Sequence, residues 1–213
     1  MNIGIIVAMD SEYGLMLEAL GGSPDGTLGP HTIHLRRSGM GKVNAAVGAT
    51  ELIRDCAPDC ILSTGVAGAL DPSLKAMDAV VSREIVYHDA WFGEGNALGQ
   101  IQGLPARFRG DETLLGIAES LGARAGLFCS GDWFVDTDAV HDRICRDFPG
   151  ALAVDMESGA LAQVCCLRGI PFLSLRLISD TASDHAATYK NFWQEVGPAS
   201  FRLIREFLQK AQV

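Results

Sequence analysis

A chain of 213 residues, 48% of them hydrophobic, is long enough to bury a large apolar core in one domain, or at most in two small ones. Its net charge of −9, from 26 acids against 17 Lys and Arg, excludes nucleic acid as a partner and argues against an anionic membrane surface, because both demand an excess of cations. A small neutral or cationic ligand stays open, and we read residues 1–213 as a single domain.

The chain begins with Ile3–Ala8, an apolar run with no basic residue before it that soon meets Asp10. It reads as a strand buried on both faces, not as a signal peptide. Helical spacing follows over Ser11–Leu20, and Thr27–Gly29 with Thr32–Arg37 reads as an antiparallel ribbon that carries His31 and His34 at the surface. A helix over Val43–Cys56 leads into strands at Cys60–Ser63 and Ala79–Val86. Beyond these come a helix at Asp111–Leu121, a strand at Gly126–Ser130, and helices at Ala139–Phe148 and Glu157–Arg168. Gly169 takes the natural C-cap position of the last of these. A strand at Phe172–Ile178 and a helix at Phe192–Gln212 finish the chain. Strands alternating with helices imply a mostly parallel sheet covered on both sides, with the ligand site at the carboxyl ends of its strands.

The six cysteines lie in apolar surroundings and include no C-x-x-C pair, so they read as buried free thiols of a reducing, cytoplasmic compartment. No apolar run reaches the roughly 18 residues that span a bilayer. The five histidines and the cysteines show no zinc spacing, so no metal and no cofactor is expected. No G-x-S-x-G elbow is present either.

Chemistry-capable groups gather at four strand ends: Met9-Asp10-Ser11-Glu12; Ser38-Gly39-Met40-Gly41-Lys42-Val43-Asn44; Ser63-Thr64-Gly65-Val66-Ala67-Gly68; and Arg176-Leu177-Ile178-Ser179-Asp180. Val154-Asp155-Met156-Glu157 lies between them. Each acid has two readings. Glu12 is either a catalytic carboxylate or a first-turn helix acid favoured by the macrodipole. Asp180 is either an acid catalyst or a turn residue. Asp155 reads as structural, whereas Glu157 sits in an apolar stretch where an unpaired charge is costly and reads as functional. His88-Asp89 is a further candidate beside a structural hydrogen bond. The glycines match no phosphate-binding fingerprint.

Read together, these motifs resemble the bacterial 5′-methylthioadenosine/S-adenosylhomocysteine nucleosidases. The likeness runs in order through Ile3–Glu12, Ser38–Ala46, Thr64–Gly68, Val80–Ser82, Tyr87–Ala90, Ser130–Asp132, Asp155–Glu157 and Ile178–Asp180. The wider family is the nucleoside phosphorylase/nucleosidase superfamily, which implies an α/β three-layer sandwich whose central mixed, barrel-like sheet is flanked by helices. The resemblance implies hydrolysis of the N-glycosidic bond of a purine nucleoside such as methylthioadenosine or S-adenosylhomocysteine, with release of adenine. By position it makes Glu12 the general base for the attacking water and Asp180 the acid that protonates the purine, with Ser179 orienting it. It implies that Glu157 binds the ribose hydroxyls over Met156, that Phe134 stacks on the base and that the backbone of Val135 reads its edge. Arg176 is a partner of the Glu12 site by the same likeness, Met9 and Val66 border the ligand, and Tyr189 lies at the 5′ substituent.

The chain also departs from that pattern. Val66 stands where several members carry Ser, Thr181-Ala182-Ser183-Asp184 lacks a second acid directly after Asp180, and Trp91–Asn96 differs from better-known members. Phosphorolysis, hydrolysis of a futalosine-type nucleoside and binding without turnover therefore stay as alternatives. Asp10 and Glu12 repel a phosphate dianion, which favours water as the nucleophile. The resemblance further implies a homodimer in which Trp91–Pro105, rich in Gly and apolar residues, closes the neighbour's pocket.

Overall fold

Among the described residues nine strands form one sheet that closes on itself, because the strand Phe172–Asp180 pairs with two strands that lie apart in the rest of the sheet. The computed structural model describes residues 1–180, Phe192 and 201–211. In chain order the elements are β1 (Asn2–Val7), α1 (Asp10–Ala19), β2 (Asp25–Leu28), β3 (His31–Arg37), α2 (Lys42–Cys56), β4 (Cys60–Ala69) and β5 (Ala79–Tyr87). They continue with β6 (Phe108–Arg109), α3 (Glu112–Ser120), β7 (Arg124–Ser130), α4 (Asp138–Asp147), β8 (Ala151–Asp155), α5 (Ser158–Arg168), β9 (Phe172–Asp180) and α6 (Arg202–Lys210).

The sheet order is β2-β3-β1-β4-β8-β7-β5-β6, and β9 bridges β4 to β5. Strands β4, β8, β7, β5 and β9 thus make a closed five-strand ring, and β1, β3 and β2 extend it to one side. The β4–β9 and β7–β8 ladders are parallel while β4–β8 and β5–β9 are antiparallel, so the sheet is mixed. This is the barrel-like α/β architecture that the resemblance implied. Strand–helix alternation alone pointed to a mostly parallel sheet, because pairing direction is set when the ring closes and leaves no local signature.

Local chemistry explains most boundaries. The Asp111 carboxylate accepts from the Thr113 and Leu114 amides at 3.0 Å each and starts α3. Gly169 ends α5 with φ +66°, in the left-handed region that glycine enters without strain. Strand β9 is buried along its whole length. Its Leu173, Leu175 and Leu177 join one apolar core with Val7, Met16, Phe201 and Phe207, whereas Ser174 and Arg176 face other polar groups. Alternation with a period of two places both sets on one strand.

Four sequence expectations change. Strand β8 lacks β-branched and aromatic residues apart from Val154, so the apolar run it shares with α5 hid it; β6 is two residues long. His31 is buried, not at the surface, because β3 pairs with β1 as well as β2 and its residues 31, 33 and 35 turn inward. The cysteines are free, but Cys166 is exposed and Cys56 and Cys145 are half-buried. Of the apolar residues in the 91–105 segment, Ile101 and Leu104 pack against the core while Trp91, Phe92 and Leu98 stay exposed. Among the described residues no helix is long and apolar enough to cross a membrane. Part of the helix expected at 192–212 lies outside the described residues.

Candidate active site

The carboxyl ends of β1, β4, β8 and β9 converge on one cleft with about 610 Å³ of empty space, its mouth included. Met9, Glu12, Val66, Phe134, Val135, Met156, Glu157, Arg176, Ser179 and Asp180 all line it. The described residues given a site role by the resemblance are therefore at this one place, the further candidates His88 and Asp89 do not line it, and Tyr189 lies outside the described residues.

Glu12 is 1% exposed and its carboxylate is fully engaged. Oε2 accepts from the Ala8 and Met9 amides at 2.9 Å each, and Oε1 accepts from the Val66 amide at 2.9 Å. The Met9 contact closes the first turn of α1, so Glu12 is the first-turn helix acid of the structural reading, which leaves room for a chemical one. Gly65 makes this approach possible: with φ +137°, a Cβ there would overlap the Glu12 carboxylate. Val66 lacks a hydroxyl, but its backbone does two jobs, donating to Glu12 and accepting from Arg176 Nη1 at 3.1 Å.

Across the cleft, β9 ends on Ser179 and Asp180, both buried. The β4–β9 register pairs Ala67 with Ile178 but Gly68 with Asp180, so Ser179 is the extra residue of a bulge. Bulges of this kind re-aim side chains at strand ends. The Ser179 hydroxyl donates to Asp180 Oδ1 at 2.7 Å, and the other carboxylate oxygen packs against Gly68.

Arg176 also lines the cleft and is 2% exposed. Nε contacts Asp155 Oδ2 at 3.0 Å and donates to Ser174 Oγ at 3.2 Å. Nη2 donates to Ser63 Oγ at 3.0 Å and Ser158 Oγ at 3.3 Å, and lies 3.6 Å from Glu157 Oε2. Burial works against the guanidinium charge, but the nearby Asp155, Glu157 and Glu12 carboxylates outweigh it and hold its pKa above the ordinary value. Asp155 also takes the Ser158 hydroxyl and the Glu157 and Ser158 amides, the structural task expected of it.

Glu157 accepts from the Gly41 amide at 2.9 Å. Burial pushes its pKa up, Asp155 and Glu12 add to that, and Arg176 with the Gly41 amide opposes it. Its carboxyl therefore titrates well above an ordinary glutamate.

Several residues that the sequence reading did not single out as site residues belong here. Met40 and Trp133 line the cleft and are 59% and 52% exposed. The Arg143 guanidinium sits 5.5 Å from the Trp133 ring centroid. Met40 lies within one of the strand-end motifs and Trp133 directly follows Ser130–Asp132, and only the folded loops reveal that they face the cleft. His88 is buried away from it, and neither ring nitrogen has a hydrogen-bond partner. Asp25, His34 and Cys56 make the one metal-sized cluster among the described residues, but Arg36 already donates to Asp25 at 2.9 Å. A cation in that position is a poor neighbour for a metal ion.

The phosphorylase superfamily model matches residues 2–209, and the chain belongs to that family. It is similar to S-adenosylhomocysteine nucleosidase of Streptococcus pyogenes, solved with 5-methylthiotubericidin, at 34% identity over 100% of this chain and 98% of that one, with a TM-score of 0.93. It is also similar to the 5′-methylthioadenosine/S-adenosylhomocysteine nucleosidase of Neisseria meningitidis, solved with methylthio-immucillin-A, at 33% identity, 99% coverage of each chain and a TM-score of 0.91. The corresponding nucleosidase of Colwellia psychrerythraea, solved with adenine, matches at 30% identity over 100% and 98% of the two chains, with a TM-score of 0.91.

Replacing Arg176 with Met keeps the volume but leaves Asp155 and Glu157 buried without their cation. We expect Arg176→Met to lose about 3–5 kcal/mol of stability. A denaturant midpoint equal to wild type would show that the arginine is not the keystone of this region.

Proposed function

We propose that the protein hydrolyses the N-glycosidic bond of a purine nucleoside of the methylthioadenosine/S-adenosylhomocysteine type, releasing adenine, with Glu12 and Asp180 as its two acid–base groups. One observation carries this reading: four carboxylates, Glu12, Asp155, Glu157 and Asp180, line a cleft whose one cation among the described residues, Arg176, is already bound by protein acceptors. Such a lining suits a sugar that gains positive charge as its C–N bond breaks. It repels a phosphate dianion and offers no free arginine to hold one, so phosphorolysis is disfavoured.

Water attacks the anomeric carbon while Glu12 takes its proton. The glycosidic bond breaks, its electron pair passes to the purine, and Asp180 delivers a proton to N7 with Ser179 holding the carboxyl in line. Glu157 accepts from the ribose hydroxyls, Met156 supports the sugar, Phe134 stacks on the base and Val135 offers its backbone to the base edge. Met9 and Val66 close the water side, and Arg176 fixes the carboxylates in place. No step calls for a metal or cofactor.

The exposed Trp91, Phe92 and Leu98, together with Met40, Val43, Val47 and Leu167, support a homodimer, since so many large apolar side chains are unusual on a monomer surface. The unpaired cysteines support a cytoplasmic location. The substrate class implies a part in methionine salvage.

Adenine release from methylthioadenosine should proceed equally with and without phosphate, and strict phosphate dependence would defeat the hydrolase reading. Glu12→Gln should lower turnover by about 10²–10⁴-fold with the fold intact; a wild-type rate in that variant removes Glu12 from the mechanism. The raised pKa of Glu157 predicts a pH effect with a definite sign. Only the ionised carboxylate accepts from both ribose hydroxyls, so KM should rise as pH falls through that pKa, and Glu157→Gln should abolish this acid limb. A limb unchanged in the variant would assign it to another group. Static light scattering at micromolar concentration should give a dimer mass, and a monomer mass would exclude the shared interface.

A further inference from the structure

Helix α2 begins at Lys42 without a cap of its own: its N-cap residue is Gly41, which has no side chain to accept from the first turn. Uncapped N-terminal amides are costly when shielded from water, and they carry the positive end of the helix dipole. Here two carboxylates from distant segments occupy them. The Gly41 amide donates to Glu157 Oε1 at 2.9 Å, and the Lys42 amide donates to Asp132 Oδ1 at 2.7 Å. One carboxylate comes from the turn that opens α5, the other from the loop after β7.

Asp132 is itself held from behind. Its amide donates to Asp89 Oδ2 at 2.8 Å, and the Lys42 ammonium donates to the same Asp89 oxygen at 2.7 Å. That ammonium also lies 3.8 Å from Asp132 Oδ2 and 5.4 Å from the centroid of the Tyr87 ring. The Gly131 amide donates to the Asp155 carbonyl at 3.1 Å, so the loop is pinned on both sides. Two glycines make the close approach possible. A Cβ at Gly41 would lie 2.9 Å from Asp132 Oδ1, and a Cβ at Gly131 would lie 2.7 Å from Asp89 Cγ. Gly41 in addition has φ +88°, a conformation that side-chain-bearing residues avoid.

We propose that Asp132 is a positioning residue: by clamping the first turn of α2 to the loop that carries Phe134, it aims the Gly41 amide at Glu157 and so sets how tightly the ribose hydroxyls are held. This rests on the nucleosidase reading and on Glu157 as the ribose-binding carboxylate. Asp132 touches neither base nor sugar in this scheme and acts through the Gly41–Glu157 hydrogen bond. Losing the clamp therefore weakens a ribonucleoside more than its 2′-deoxy analogue, which offers Glu157 one hydroxyl fewer. A purely structural aspartate would weaken both alike.

The test uses the full-length protein with Asp132→Ala and Asp132→Asn. Asn keeps an oxygen that accepts from the Lys42 amide, so it serves as the conservative rescue. Backbone amide exchange at residues 41 and 42 should quicken in the Ala variant and return toward wild type in the Asn variant. In steady state, Asp132→Ala should raise KM for methylthioadenosine about 10-fold, the scale of one hydrogen bond to a charged group. KM for 2′-deoxymethylthioadenosine should change less, kcat little, and Asn should recover most of the loss. The proposal is overturned by slow exchange at both amides in the Ala variant, by equal losses on the two substrates, or by Ala and Asn behaving alike. A wild-type protein that releases no adenine would reject the nucleosidase reading, while amide exchange would still report on the clamp itself.

Discussion

Everything in the cleft is referred to one buried cation. Arg176 enters the closed ring from β9 and meets hydroxyls or carboxylates from β4, β8, α5 and β9 itself. A guanidinium moved out of water needs compensating acceptors around it, and this one has them. In return it allows Asp155 and Glu157 to stay buried next to one another, where two carboxylates alone would repel. The arginine therefore does for this region what a metal ion does elsewhere: it permits a dense set of oxygen ligands to share a small space.

Strand β4 supplies the complementary half. Gly65 and Gly68 lie three residues apart, one under the Glu12 carboxylate and the other under that of Asp180. Absent side chains thus seat both acids against a single strand, and the bulge at Ser179 turns the end of β9 so that Asp180 reaches its seat. For Glu12 the structural reading is compatible with the proposed chemical one. Its hydrogen bonds from the Ala8, Met9 and Val66 amides hold the carboxylate still, and a carboxylate held still is what proton transfer at a fixed point requires.

Much of this was legible in the sequence, and the reasons are physical. Long apolar runs such as Ile3–Ala8 and Phe172–Ile178 announce buried strands, and acids or glycines directly after them mark strand ends where ligands collect. Strand β8 was obscured because five residues ending in an acid run straight into an apolar helix, with no turn chemistry to separate them. His31 was misjudged because a ribbon seen from sequence has two free edges, while in the fold β3 is an inner strand. The contacts among Asp132, Lys42 and Asp89 have no sequence signal. Each falls in a motif that the sequence offers, but they lie far apart in the chain, and only the fold brings the three together.

The closure of the ring has a consequence for how the molecule is made. The ladders from β9 to β4 and β5 join residues about a hundred positions apart, such as Gly65 with Arg176 and Val80 with Arg176. Contacts that remote require closing loops across about half of the chain, which slows folding. During synthesis, every segment up to α5 is complete before the strand bearing Arg176, Ser179 and Asp180 exists. A chain that has not yet added β9 lacks Arg176, the counterion of Asp155 and Glu157, so the strand that closes the barrel also supplies the charge balance.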